Sequence, residues 1–321
     1  MGDFFYTNMK QTLKLLLLFF TTIAFSQTDN YSKEEIAVSD LIKGDLYTPK
    51  NGKSQKSLII LLAGSGPTNR NGNQIGMQNN SLKYLAEDLA NGGYSVYTFD
   101  KRIIAQIIAG NVNESESRFD DLITDAISVA AYFKKTNQYN KFIFAGHSEG
   151  SLVGMIAAHR TKADAYISLA GAGRSIDEVL VEQLEKQMPS LKEKTIAYLN
   201  LLKKGETFKN DTPVLNSLFR ESVQPYMISW LKYNPKEEIK KVNCPTIIIN
   251  GDKDVQVTQK DATLLNEAQK KSTLVIIKDM NHVFKTIAGD EKENLEAYSK
   301  PEIRNNPELS ETILKFLNSR L

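Results

Sequence analysis

A mostly parallel sheet flanked by helices is the fold class that this 321-residue sequence predicts. Short apolar runs alternate with longer segments of helical period, the pattern of strands buried between helices. The pentapeptide Gly146-His147-Ser148-Glu149-Gly150 follows an apolar run at 141–145 and precedes a small-residue, apolar stretch at 151–158, which reads as strand, sharp turn, helix. With 41% hydrophobic and 24% charged residues, the composition is that of a globular chain with one large core, or one core and a smaller insert.

In chain order, Lys10 and Lys14 precede ten almost apolar residues, Leu15 to Ala24, a run too short to span a bilayer. Ala24 and Ser26 supply the small-x-small pattern of a signal-peptidase site, so residues 1–26 are expected to be a cleaved signal peptide. Export to the periplasm or medium, with no stable membrane span after cleavage, is the matching expectation. Cys244 is the only cysteine, which excludes an intramolecular disulfide.

Strands are expected at 57–62, 94–99, 141–145, 165–169, 246–249 and 273–277. Helices are expected at 82–90, stopped by Gly92-Gly93, and at 119–133, 151–158 and 314–321. Residues 175–242 break the alternation, with helical period and no strand pattern, and are expected to form a helical lid insert. The core then falls into two parts, 27–174 and 243–321. Met188, Leu199, Leu201, Leu202, Met227, Trp230, Leu231 and Tyr233 of the insert either pack it or wall a small-molecule pocket.

The chemistry starts from Ser148. A serine between strand and helix turns so tightly that residues two positions away crowd one another, and Gly146 and Gly150 remove those side chains. The hydroxyl is exposed, and the Glu149 N–H points toward it from a helix N-terminus. Three histidines compete for the role of base. His147 should point away from Ser148, and His159 lies about 16 Å along a straight helix. His282, in a loop after the last strand, is left. A carboxylate to orient it is offered by Gly251-Asp252-Lys253-Asp254, with Asp254 preferred and Asp252 in reserve as the residue more suited to capping the turn.

The second oxyanion donor is expected from the loop Leu62-Ala63-Gly64-Ser65-Gly66-Pro67, with Ser65 N–H as donor. That loop lacks the Gly-Lys-Ser/Thr ending of a phosphate cradle. A net charge of +2, spread along the chain, carries no nucleic-acid footprint. The chemistry requires no metal or organic cofactor.

These motifs resemble the α/β-hydrolase superfamily, in a bacterial esterase branch near the serine aminopeptidase-like hydrolases. The likeness rests on Gly64-Ser65-Gly66-Pro67-Thr68-Asn69-Arg70, the elbow at Ser148, Gly251 to Val257, and Asn281-His282-Val283, in that order. The branch usually continues Asp-Lys-Arg with Gly-x-Gly-x-Ser, whereas this chain has Asp100-Lys101-Arg102-Ile103-Ile104. The resemblance implies a serine hydrolase that cleaves a small-molecule carboxylic ester through an acyl-enzyme. The same triad would serve a peptidase or amidase if Glu178, Glu182 or Glu185 faced the pocket, and a non-catalytic binding protein on the same fold is the remaining alternative.

Overall fold

In the computed structural model, which describes residues 30–51 and 54–321, eight strands form one sheet among the described residues. The expected signal peptide, 1–26, lies outside them. The chain runs β1 (Tyr31–Ser39), β2 (Ile42–Pro49), β3 (Ser54–Leu62), α1 (Ser81–Asn91), β4 (Tyr94–Phe99), α2 (Arg102–Ala109), α3 (Phe119–Lys135), β5 (Lys141–His147), α4 (Glu149–Thr161) and β6 (Ala165–Leu169). Then come α5 (Ile176–Gln187), α6 (Lys192–Lys203), α7 (Asn216–Phe219), α8 (Gln224–Trp230), α9 (Pro235–Ile239), β7 (Thr246–Gly251), α10 (Gln259–Ala268), β8 (Thr273–Ile277), α11 (Glu291–Glu296) and α12 (Pro307–Arg320).

The strand order is β1-β2-β4-β3-β5-β6-β7-β8. From β4 to β8 every pairing is parallel, and β1 and β2 add an antiparallel edge. Strands β4, β6 and β7 are buried along their whole length, which is why each reads as a predominantly apolar run without charged residues. Strand β1 is largely exposed, and its Lys33, Glu34 and Glu35 hide the alternation of Ile36 and Val38. That pair has no counterpart in the expected strands: the charges of β1 erase its alternation, and in the mostly buried β2 Lys43, Gly44 and Asp45 interrupt the apolar residues Ile42, Leu46 and Tyr47.

Helices cover both faces. On one, Leu82, Leu85 and Leu89 of α1 meet the sheet together with Ile313 and Leu317 of α12. On the other, Ile123 and Val129 of α3 and Met155 and Ile156 of α4 do the same. Helix α12 starts at Pro307, seven residues before the expected 314, because the Asn306 side chain caps it by accepting from Glu308 N–H. Helices α2, α10 and α11 were also beyond the expected set.

Between β6 and β7 lie α5 to α9, which hold a cluster of their own around Leu184, Leu199, Leu202, Phe219 and Met227. Of the other apolar candidates, Met188 and Leu231 pack against that cluster. Trp230, which also packs against that cluster, and Tyr233 contact Phe119 of α3, Trp230 in a near-parallel stack with ring centroids 5.4 Å apart. The segment is thus anchored to the sheet's helical layer by aromatic rings. Phe144, fully buried in β5, is expected to show the weight of this core. Phe144→Ala should lose about 3–5 kcal/mol of unfolding free energy in a urea titration.

Candidate active site

Strand β5 ends at His147 and α4 starts at Glu149, leaving Ser148 alone to make the turn at φ 54° and ψ −120°. That backbone is strained for a side-chain-bearing residue and is held by the Ser148 N–H bond to Leu169 O of β6, 2.9 Å. A Cβ on Gly146 would stand 2.0 Å from Gly150 O, and one on Gly150 would stand 2.5 Å from Ala63 O. Neither site tolerates a side chain, and the second brings the end of β3 against the start of α4.

The loop after β3 passes next to Ser148, where a Cβ on Gly64 would be 3.2 Å from Ser148 Cβ. The Ser65 carbonyl is turned away, accepting from Thr68 Oγ1 and Gln74 Nε2 at 2.8 Å each. Among the described residues, the N–H groups of Ser65 and Glu149 have no protein acceptor. Two unengaged donors from different strands thus flank Ser148.

His282 follows β8 and is buried, with Nδ1 2.7 Å from Asp254 Oδ2. The carboxylate's other oxygen accepts from Gln256 and Val257 N–H, both at 2.9 Å, so Asp254 is oriented on both sides. A carboxylate partner makes Nδ1 the protonated nitrogen of the neutral ring and leaves Nε2 as the free acceptor. Asp252 is exposed and accepts from Asp279 N–H at 2.6 Å, tying the loops after β7 and β8 together as a turn cap. His159 is exposed on the last turn of α4. The structure therefore unites His282 with Asp254, while the Ser148 hydroxyl makes no hydrogen bond to Nε2 in this conformation.

Several supporting residues escape a reading of the sequence. His147 donates from Nε2 to the His282 carbonyl, 2.9 Å, with the two rings 4.7 Å apart. Burial, then the neighbouring His282, push its pKa down to about 3, so it stays neutral beside the candidate base. Asn281 accepts from Val283 and Lys285 N–H and donates to Asn294 of α11, whose own amide reaches Lys253 O. This braces the acid loop against the base loop. The Asn flanking His282 was the available signal for that role.

Two cavities open under α5 to α8. One, of about 270 Å³, reaches Ser148 between Leu152, Ile176, Leu180, Met227, Trp230 and Val257. A neighbour of about 330 Å³ includes Ile103, Leu122, Lys101 and Tyr226, and the two share Ser65, Glu149, Leu218, Met227 and Trp230. Among the described residues no group of three or more His, Cys, Asp and Glu side chains is gathered as metal ligands. No described helix is long and apolar enough to cross a membrane.

A parallel sheet with an antiparallel edge, helices on both faces and a strained serine between the central strand and its helix decide the classification. The chain has the α/β-hydrolase fold. Residues 75–229 match the family model of the S33 serine aminopeptidases. Over 285 residues the chain is 27% identical to Esterase EstD of Thermotoga maritima, covering 85% of this chain and 64% of that relative's length. Among solved structures it is similar to Est1E from Butyrivibrio proteoclasticus, with a TM-score of 0.55 at 18% identity over 89% of this chain and 99% of that one. An esterase from Pyrococcus furiosus gives the same TM-score at 17% identity, over 90% of this chain and 91% of the other. At those identities the likeness to solved structures speaks to the fold.

The neutral state of His147 has a measurable consequence. Its folded pKa of about 3 lies below the ordinary 6.5, so the unfolded chain binds the extra proton between those values. The stability contributed is complete above pH 6.5 and lost as the pH falls toward 3. Chemical denaturation from pH 7 to 4 should show a steeper fall for the wild type than for His147→Gln, by up to about 1.4 kcal/mol per pH unit.

Proposed function

We propose that the protein is a serine hydrolase of carboxylic esters, acting through Ser148, His282 and Asp254. The observation that carries the reading is the 2.7 Å contact of His282 Nδ1 with Asp254, which leaves Nε2 as a free base in the loop layer above the strained Ser148. On this reading a rotation of the Ser148 hydroxyl brings it to Nε2, which takes its proton as Oγ attacks the ester carbonyl. The N–H groups of Ser65 and Glu149 receive the oxyanion, and α4, starting at Glu149, adds its positive end. His282 returns the proton to the leaving alcohol, and Asp254 stabilises the imidazolium meanwhile. Water then repeats the sequence on the acyl-enzyme.

The lining of the cavities favours esters over peptides. A substrate amino terminus would need an unpaired carboxylate near Ser148, and none of Glu178, Glu182 and Glu185 lines the cavity that contains it. Glu182 is paired with Arg174 and Lys186, and Glu185 with Lys192. The wall of that cavity is instead mainly aliphatic, with Trp230, which suits an apolar acyl or alcohol group. Esterase EstD is named for the same activity. The proposal includes export by cleavage of residues 1–26, for which Edman sequencing of the mature protein should begin at Gln27.

Ser148→Ala is expected to lower turnover of p-nitrophenyl butyrate by about 10⁴-fold or more, and to abolish labelling by a fluorophosphonate probe while the far-UV spectrum is retained. Near-normal activity in that variant would exclude the mechanism. Trp230 walls both cavities, so Trp230→Ala should join them. The kcat/KM profile over esters from acetate to palmitate should then shift toward longer chains.

A further inference from the structure

Lys101 is a buried cation with a position that the ester-hydrolysis scheme does not use. Its side chain is 10% exposed, and its Nζ lies 2.6 Å from Glu149 Oε2 and 3.1 Å from Gly64 O. The other oxygen of Glu149 accepts from Tyr226 OH of α8 at 2.5 Å, and the Glu149 side chain is 1% exposed. Burial beside Glu149 keeps the Tyr226 hydroxyl protonated, since its pKa is raised well above the ordinary range.

The bond to Gly64 O matters because a peptide unit is a rigid plane. The Gly64 carbonyl and the Ser65 N–H belong to one such unit and point to opposite sides of it. An ammonium bound to that carbonyl therefore fixes the direction of the N–H and polarises it as a donor. At the other end, Glu149 carries the second candidate N–H on its own backbone. A single ion pair thus links the two donors, which reach the site on segments following different strands, β3 and β5.

We propose that Lys101, held by Glu149 and Tyr226, is the positioning residue of the oxyanion site, setting the orientation and donor strength of the Ser65 N–H. The proposal rests on the reading of Ser65 and Glu149 as oxyanion donors. It also gives Tyr226 a task that its place in the cavity wall alone does not: α8 carries both the cavity residues Met227 and Trp230 and the hydroxyl that holds Glu149.

The test compares Lys101→Met, the charge-neutral pair Lys101→Met/Glu149→Gln, and Tyr226→Phe with the wild type on p-nitrophenyl butyrate and a trifluoromethyl ketone inhibitor. Removing the ammonium should lower kcat by about 10²-fold, comparable to the loss of an oxyanion donor, with KM changed less than about threefold. Affinity for the ketone, whose hemiketal oxyanion occupies the same site, should fall in step with kcat. Tyr226→Phe should lower kcat by roughly 3–10-fold, with the same parallel loss of ketone affinity.

Unchanged kcat in the neutral pair, a rise confined to KM, or ketone affinity that does not follow kcat would overturn the proposal. Should the Lys101 variants not fold, Tyr226→Phe decides by the same two readouts, because it removes one hydroxyl only. Fluorophosphonate labelling of Ser148 to completion in the folded variants separates this outcome from failure of the parent reading, in which wild-type Ser148 itself would not label.

Discussion

At the end of β5 the chain turns into α4 with Gly146 and Gly150 in contact, and a Cβ on Gly146 would fall 2.0 Å from Gly150 O. This crowding is the constraint on which the site is built. It leaves Ser148 at a positive φ with its side chain clear of the sheet, and it presses α4 against the end of β3. Because Gly150 meets Ala63 O, the loop at Gly64 and Ser65 follows on the same side as Ser148. The candidate nucleophile and oxyanion donors are therefore consequences of one close approach, secured by the Ser148 N–H bond to β6.

The candidate acid and base, Asp254 and His282, follow the adjacent parallel strands β7 and β8, whose loops leave the same sheet edge. Three side-chain contacts hold these loops in register: Asp252 to Asp279 N–H, Asn281 to Asn294, and His147 to the His282 carbonyl. The last also has an electrostatic role. A cationic His147 with its ring 4.7 Å from that of His282 would oppose the imidazolium that the proposed mechanism requires, and burial keeps His147 neutral. One buried histidine thus positions the other without competing for the proton.

Above this edge, α5 to α8 form the roof of two neighbouring cavities and pack partly on themselves. Their attachment to the rest of the molecule is aromatic, through Phe119, Trp230 and Tyr233, and ionic, through Arg174 with Asp261 and Arg220 with Glu114. Arg174 is buried against Asp261 of α10, so the start of the insert is tied to the helix after the acid loop. Where the family resemblance leads one to expect a glycine-rich stretch after Asp100-Lys101-Arg102, this chain forms α2. Its Ile103 lines a cavity, and Ile107 and Ile108 remain exposed.

The sequence by itself determined the doubly covered strands and the elbow, because strands buried on both faces must be apolar throughout and a turn this tight admits only glycine two residues from the serine. It also narrowed the base to His282, since only three histidines exist and helical rise removes His159. Strands β1 and β2 were hidden because the charges of solvated β1 erase its alternation and Lys43, Gly44 and Asp45 interrupt the apolar residues of β2. The early start of α12 was hidden because its first residues include Glu308, Ser310 and Glu311, polar residues that carry little periodicity. Only the tertiary structure decided between Asp254 and Asp252, two residues apart, because the choice depends on which carboxylate the loop after β8 reaches. The same holds for Lys101 and Glu149, 48 residues apart, and for Tyr226 beyond them. Charge pairing is a property of distance in space, and no local pattern records which buried cation will meet which buried anion.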